Sequence, residues 1–575
     1  MGRWRFPVAV GSLCMALSMP ALAIPGNAFG QTPEFRLPPA AEPDVRLQQL
    51  RPTGPLQPLP EVQVPEAALS RAPAGADQVR FVLAGLDLEG VTAYSTETLG
   101  AVYADRIGKE ISLADVYEVA AEIQRLYRKD GYFLTRIIIP PQTAREGRLT
   151  IQVIEGYVSE VKIEGEIGPV RSLVKAYLQH LVHERPLKLK TLERYLLLAK
   201  DIPGLDVQGV LRPAPGLVGA AQLVAAVERK RFDALVVAGN MGSTFTGEWE
   251  VAGSFTANSF TCLGESVTLS GLLSDPAEGF SGDNENQKVI QFGGTFRPAS
   301  NGLYFGLSAS YGDSNPGDII SRFDFDSKKL LVTALGGYPV IRSRDLNFSV
   351  ELGFDFINSD TDIFGDLKFS RDRLRVLHLT GIADFRDAWR GNTFLSLGLR
   401  QGLPLFDASE SGDDLLSRAD GTGVCTSLRG ELWRLQPIAG HFALFGRFAG
   451  QYAFDDLLSD EEFDVGGTRF GRGYDPKELS GDHGVGFTAE LQYTRAVEVP
   501  VLERFQLFGF YDVGEAWDRG TDFSASLASA GGGVRLWLAR YFSLELQVAK
   551  PLTRESDRAD GSRDPQVLFR AFARF

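Results

Sequence analysis

Cysteine is scarce: three residues in 575, and Cys14 lies in a leader-like stretch, which leaves Cys262 and Cys425 in the exported chain. A disulfide between them is chemically permitted outside the cytoplasm, but cysteines so far apart in sequence are more often unpaired. Histidine is nearly as scarce, with His180, His183, His378, His441 and His483 the full set. His180 and His183 stand three apart near a helix end, and no acidic or cysteine cluster joins them in sequence, so they read as a structural pair and no metal is expected. The patterns HExxH, GxSxG and GxxxxGK[ST] are missing, and nothing recommends catalysis or a cofactor. Gly531-Gly532-Gly533 falls in a strand pattern, where glycine marks a bend or a close backbone approach. Beyond the leader no window holds the roughly 18 apolar residues of a membrane helix. The 73 acidic residues outnumber the 59 basic ones, which argues against nucleic acid, whose phosphates call for a basic face. The excess acid gathers in stretches such as Asp455 to Asp464, which read as a solvated loop face.

What is present falls into regions. Arg3 and Arg5 precede an apolar run from Phe6 to about Met19, and Ala21-Leu22-Ala23 supplies small residues for a signal peptidase, so residues 1–23 read as a cleaved export signal. Residues 24–77 are proline-rich, with Pro38-Pro39, Pro58, Pro60 and Pro65 interrupting any period. Proline fixes φ and removes a donor, so this stretch is expected to be an extended linker, with Pro43 to Arg51 its one short helical candidate.

Residues 78–156 and 157–230 carry the same order twice: strand, helix, helix, strand, strand. In the first copy an apolar stretch from Val79 to Leu88 leads to two helical patterns. The second of these opens with Ser112 and Asp115 at capping-box spacing, and Val116, Val119, Ala120, Ile123, Leu126 and Tyr127 recur on one helix face. Strands are expected at Tyr132 to Ile139 and Leu149 to Ile154. The second copy reads Val158 to Glu164, helices near Arg171 to Leu181 and Leu189 to Lys200, and strands near Val207 to Leu211 and Gln222 to Glu228. Each copy suits two helices packed on a three-stranded sheet.

From about Arg231 helical period gives way to alternation. Leu303, Phe305, Leu307, Ala309 and Tyr311 oppose Tyr304, Gly306, Ser308 and Ser310; Phe348 to Phe356 and Phe542 to Val548 repeat the pattern. A soluble sandwich would bury the apolar face, whereas a lipid-embedded barrel turns it outward around a wet lumen. Abundant glycine and aromatics, long acidic loops and a last strand ending at Phe575 favour the barrel. The 345 residues from 231 to 575, at about 20 to 22 per spanning strand with its connection, make about 16 strands. The fold class is therefore mainly β, a 16-stranded transmembrane barrel behind two α+β domains.

One long glycine-rich stretch stands out, Phe463 to Gly484, in which Arg472 sits between Gly471 and Gly473 ahead of Tyr474. Downstream, in Phe508 to Gly514, alternation sets Asp512 opposite Tyr511 and Val513. If those two face lipid, Asp512 faces the lumen, where a loop arginine could meet it as a charge-assisted pair.

These residues resemble the two-partner secretion transporters (TpsB), within the superfamily of barrel-assembly insertases. Gly471-Arg-Gly-Tyr474 with Leu479-Ser-Gly-Asp482 is similar to the family's sixth extracellular loop, and Phe510-Tyr-Asp-Val-Gly514 to the strand that receives its arginine. Gly131-Tyr-Phe, Ile139-Pro-Pro-Gln142, Ile154-Glu-Gly156, Ile163-Glu-Gly165 and Leu198 to Gly204 are similar to its two POTRA domains. The resemblance implies a monomeric outer-membrane barrel whose periplasmic POTRA domains recognise an unfolded exoprotein of haemolysin or adhesin type, bearing an N-terminal secretion domain, around Tyr132, Ile139 and Gln142. It implies contact with lipid and lipopolysaccharide, insertion by the barrel-assembly machinery, and client folding outside as the energy source. Family members often carry a plug helix, which the proline-rich stretch here does not offer beyond Pro43 to Arg51. An assembly factor is the alternative, although such factors usually have three or more POTRA units; a passive porin would lack the duplicated soluble module.

Overall fold

Arg231 is where one periodicity replaces the other, and the architecture changes with it. The computed structural model describes residues 38–43, 45–47, 71–144, 146–276, 286–365, 367–539, 541–556 and 561–575. The export signal expected at 1–23, and Pro58, Pro60 and Pro65 of the linker, lie outside them.

The first α+β unit runs β1 (Arg80–Val82), β2 (Gly85–Glu89), α1 (Thr96–Gly100), β3 (Glu110–Ser112), α2 (Leu113–Lys129), β4 (Arg136–Ile138) and β5 (Arg148–Ile154). Ser112 starts α2 because its hydroxyl accepts the Asp115 N–H (3.2 Å) while the Asp115 carboxylate accepts the Ser112 N–H (2.7 Å). Val116, Val119, Ala120, Ile123 and Tyr127 then point to one side and are buried against Leu149, Ile151 and Val153 of the sheet β2-β5-β4. Each large apolar side chain so buried contributes about 1.5–3 kcal/mol.

This unit departs from the simple strand and helix order. Val79 to Leu88 breaks into two strands, since β1 pairs with β3 and β2 with β5. The first helix is a little over one turn. The strand expected from Tyr132 starts only at Arg136, because the chain turns first, with the Thr135 N–H donated to the Tyr132 carbonyl.

The second unit follows the expected order closely: β6 (Tyr157–Glu164), α3 (Arg171–His183), α4 (Leu189–Lys200), β7 (Leu205–Pro213) and β8 (Ala220–Arg229), with sheet order β6-β8-β7. Tyr177, Leu178, Leu181, Leu192 and Ala199 pack the helices onto Leu223 and Ala225. The units join through the Leu189 N–H donated to the Gly131 carbonyl (2.9 Å), the Leu187 N–H donated to the Gly156 carbonyl (3.0 Å), and Phe133 and Leu134 packed on the second core. Within the first unit one carboxylate ties the elements together. Glu155, at the end of the first, accepts the Thr92 and Ala93 N–H groups (2.9 Å each) and the Tyr127 hydroxyl (2.7 Å). Burial alone would raise its pKa, but these donors prevail and hold it below the usual carboxylate value.

From Phe232 to Arg574 sixteen antiparallel strands close into a barrel, the last paired with the first. Closure leaves no strand edge in hydrocarbon, the condition for a sheet to span lipid. Alternation sorts the faces as expected: Leu307 is 60% exposed on the outer wall while Ser310, facing inward, is 1% exposed. Phe348, Leu352 and Leu546 lie on the outer wall, and Glu545 and Gln547 point inward. Within the glycine run, a Cβ on Gly531 would sit 2.7 Å from the Phe510 ring and 2.0 Å from the Val548 carbonyl, so the expected close approach is real. Cys262 is exposed in a periplasmic turn and Cys425 is buried where the tenth strand begins at the other rim; both are free.

The second unit docks on the periplasmic turns of the barrel. Asp201 takes Arg342 in a fork of two hydrogen bonds (2.7 Å each), Glu193 pairs with Arg344 (2.6 Å), and Arg194 donates to the Pro339 and Val340 carbonyls. His180 stacks on Tyr195 and bonds Ser300 across this joint; burial, then its neighbour His183, lower its pKa.

Candidate functional site

The lumen is filled by two segments that the sequence places on loops. The first is residues 38–43 and 45–47 of the proline-rich region. Pro39–Ala41 forms one tight turn, and Pro43 and residues 45–47 show no helix; Asp44 and residues 48–51 of the helical candidate lie outside the described residues. Val45 and Leu47 are buried against Ala252, Leu272, Val289 and Leu331 of the inner wall, and Ala40 and Ala41 against Phe245 and Phe325 of outer loops. Glu42 pairs with Lys329 of the sixth strand (Asp326–Arg342) at 2.9 Å, and Arg46 lies 3.7 Å from Glu461. This region is thus not wholly an extended linker: among its described residues, 38–43 and 45–47 lie in the pore.

The second is the long sixth loop, between the eleventh strand (Phe442–Ala453) and the twelfth (His483–Ala496). Its acidic start is not the solvated face expected from composition. Asp460 pairs with Lys329 (2.6 Å), and Glu461, fully buried, takes Arg400 (2.7 Å) and Arg429 (2.9 Å) from the wall. Glu462, Asp482 and Asp518 converge closely enough to suggest a cation site, but the Arg418 guanidinium sits among them. The reason is general: an acid withdrawn from water must be paired, and the barrel supplies inward arginines to do it.

Beyond this stretch the loop folds back on a short hairpin, Phe463–Val465 against Leu479–Gly481, and its tip enters the barrel. The wall makes room through glycine. A Cβ on Gly486 would meet the Phe470 ring at 2.4 Å, and one on Gly514 would meet Val465 at 2.3 Å. Arg472, 6% exposed, reaches Asp512 of the thirteenth strand (Leu502–Trp517) through Nε and Nη2, both at 3.0 Å, while its backbone N–H also donates to Asp512 (3.1 Å). Its guanidinium lies flat on Phe510, 3.6 Å from the ring centre. Tyr474 is buried too, donating its hydroxyl to the Ala528 carbonyl at 3.1 Å. Asp475 accepts from the backbone and hydroxyl of Thr244, tying the tip to the first outer loop.

Gly471, Arg472, Gly473, Tyr474, Phe510, Asp512 and Gly514 therefore come together. Sequence reasoning missed Glu490, whose Oε2 lies 2.9 Å from Arg472 Nη1 as a second counter-charge. The alternation that turns Asp512 inward also turns Glu490 and Phe510 inward, so its face was readable although its partner was not. Tyr132, Ile139 and Gln142 stand apart from this cluster. Tyr132 and Ile139 pack on the core of the first unit, and Gln142 bonds the backbone of Thr150 in both directions. The exposed apolar side chain there is Ile138, on edge strand β4.

A lipid-facing barrel whose lumen is occupied by its own loop and a proline-rich segment, with paired POTRA-type units at its periplasmic end, is an outer-membrane transporter. Comparison with known proteins gives the particular family. The haemolysin secretion/activation protein ShlB/FhaC/HecB family matches residues 222–536, more than half the chain, and the ShlB-type POTRA domain matches residues 81–156. The chain belongs to the ShlB/FhaC/HecB family. The heme/hemopexin transporter protein HuxB of Haemophilus influenzae is 25% identical over 478 residues, 81% of this chain and 82% of that protein. Outer membrane transporter CdiB of Dickeya dadantii is 20% identical over 481 residues, 79% of each chain. The solved CdiB from Escherichia coli shares the fold, with a TM-score of 0.72 at 19% identity over 89% of this chain and 94% of that one.

Proposed function

We propose that this protein captures one large exoprotein, unfolded, on its POTRA edges and passes it through the lumen once loop 6 and residues 38–47 give way. The observation that carries the reading is the filled lumen: both obstructing segments are held by ion pairs that can exchange partners, not by covalent bonds. Recognition falls to the edge strands β4 and β7, where Ile138 and Val210 are exposed and a client strand can add to the sheet. The Arg472–Asp512 pair seats loop 6. Folding of the client outside supplies the drive. The client is a secreted protein of haemolysin or adhesin type, and the barrel itself acts as a monomer inserted by the assembly machinery.

Photo-crosslinking side chains at positions 138 and 210, in cells exporting a large exoprotein whose release depends on this gene, test the reading. Both positions should capture that exoprotein during export. Capture of diverse outer-membrane barrels instead would favour the assembly-factor alternative, and capture at neither position would refute recognition by these edges.

A further inference from the structure

The charge pairing of loop 6 does not stop at Glu490. On the inward faces of the fourteenth (Ser524–Leu538), fifteenth (Phe542–Pro551) and sixteenth (Gln566–Arg574) strands, Arg535, Glu545 and Arg570 continue it. Arg535 holds Glu490 with Nη1 (2.6 Å) and Nη2 (3.2 Å), and with Nε it holds Glu545 (2.9 Å). Arg570 Nη2 lies 3.5 Å from the same Glu545 oxygen. The row Asp512, Arg472, Glu490, Arg535, Glu545, Arg570 thus alternates in sign from the loop tip to the last strand. Its members are almost fully withdrawn from water; Arg535, the most accessible, has a side chain 21% exposed.

The last strand also forms the barrel's shortest ladder, continued at its ends by bonds of Asn240 to Val567 and Phe569 and of Ala234 to Phe575. It pairs with the first strand (Phe232–Gly239) over five residues, Arg570 to Arg574 against Gly239 to Leu235, whereas every other neighbouring pair has eight or more. Arg570 stands at the outer end of that short pairing, opposite Gly239. One guanidinium, Arg535, therefore joins the carboxylate that seats Arg472 to the carboxylate that holds Arg570.

We propose that Arg535 is a positioning residue that couples the seating of loop 6 to the closing seam of the barrel, so that releasing either loosens the other. This rests on reading Arg472–Asp512 as the seat of loop 6. Glu490 and Glu545 each share their charge between two arginines, and the coupling is reciprocal by thermodynamic linkage. A lysine at 535 would keep the charge but, as a point cation, could not span both carboxylates.

Hydrogen exchange on the full-length protein in lipid discs separates the possibilities. Arg472→Ala should speed exchange in loop 6, and also, by about tenfold or more, in residues 566–574, none of which Arg472 touches. Arg535→Met should speed both regions, and Arg535→Lys should fall between it and wild type. Unchanged exchange of loop 6 in Arg472→Ala would sink the seating reading itself. Faster loop 6 exchange with residues 566–574 at the wild-type rate would overturn the coupling while leaving the seat intact. If Arg535→Met fails to assemble, Arg535→Lys and Arg472→Ala decide the matter by the same readout.

Discussion

Removing one member of the Arg472–Asp512 pair should be costly to the seat of loop 6 but should not prevent the barrel from assembling. Arg472→Ala leaves Asp512, 0% exposed, without its guanidinium, and Glu490, 3% exposed, with Arg535 alone. Breaking a buried, hydrogen-bonded pair costs about 3–5 kcal/mol. At about 1.4 kcal/mol per tenfold change, that shifts loop 6 toward its unseated state by roughly two to four powers of ten. Barrel closure rests on backbone ladders that Arg472 does not join, so the seam loosens locally while the barrel stays closed. The assay is threefold: export of the exoprotein, protease cleavage of loop 6 on intact cells, and retention of the compact barrel on unheated gels. Arg472→Ala and Asp512→Ala should each cripple export and expose loop 6 while the barrel stays compact. Full export by both variants, or wild-type protection of loop 6, would refute the reasoning.

Other outcomes follow from the same geometry. Lys329→Met strips Glu42 and Asp460 of a shared cation, so labelling of a cysteine placed at Val45 should rise and single-channel conductance in a planar bilayer should increase. Gly486→Ala drives a methyl into the Phe470 ring, so it should unseat loop 6 and reduce export with the barrel still compact. Ser112→Ala removes the cap of α2 and should destabilise the first POTRA unit by about 1 kcal/mol, read as faster amide exchange in residues 113–129. Glu155 has a folded pKa below its ordinary value, so its stabilising effect is complete above the ordinary carboxylate pKa and fades as pH falls through the folded one. Glu155→Gln should therefore loosen the first unit at pH 7, and the difference from wild type should shrink in acid.

The barrel was legible because a membrane wall enforces strict alternation: Phe305, Leu307 and Tyr311 could only share a face, and which face followed from lipid. The second soluble unit was legible for the same local reason, its helix faces repeating at Val174, Tyr177, Leu178 and Leu181. In the first unit a two-stranded side ribbon broke the pattern, because β1 finds its partner in β3 rather than in the main sheet. The lumen contents were not legible. Residues 38–47 have no period of their own, and what buries them, Lys329 and the wall around Val289, lies almost three hundred residues away. The acids from Asp460 to Glu462 misled for a related reason. Their charge suggests solvent, and only the closed barrel reveals that Arg400, Arg418 and Arg429 converge on them.

The claim that this transporter carries a secreted partner is tested most directly by deleting its gene and comparing, by quantitative mass spectrometry, surface and medium proteins with those of the parent strain. The account predicts that one large exoprotein vanishes from outside and is trapped or degraded within the envelope, that wild-type but not Arg472→Ala restores it, and that outer-membrane barrels keep their levels. An unchanged set of exported proteins, or a general loss of barrels from the outer membrane, would contradict it.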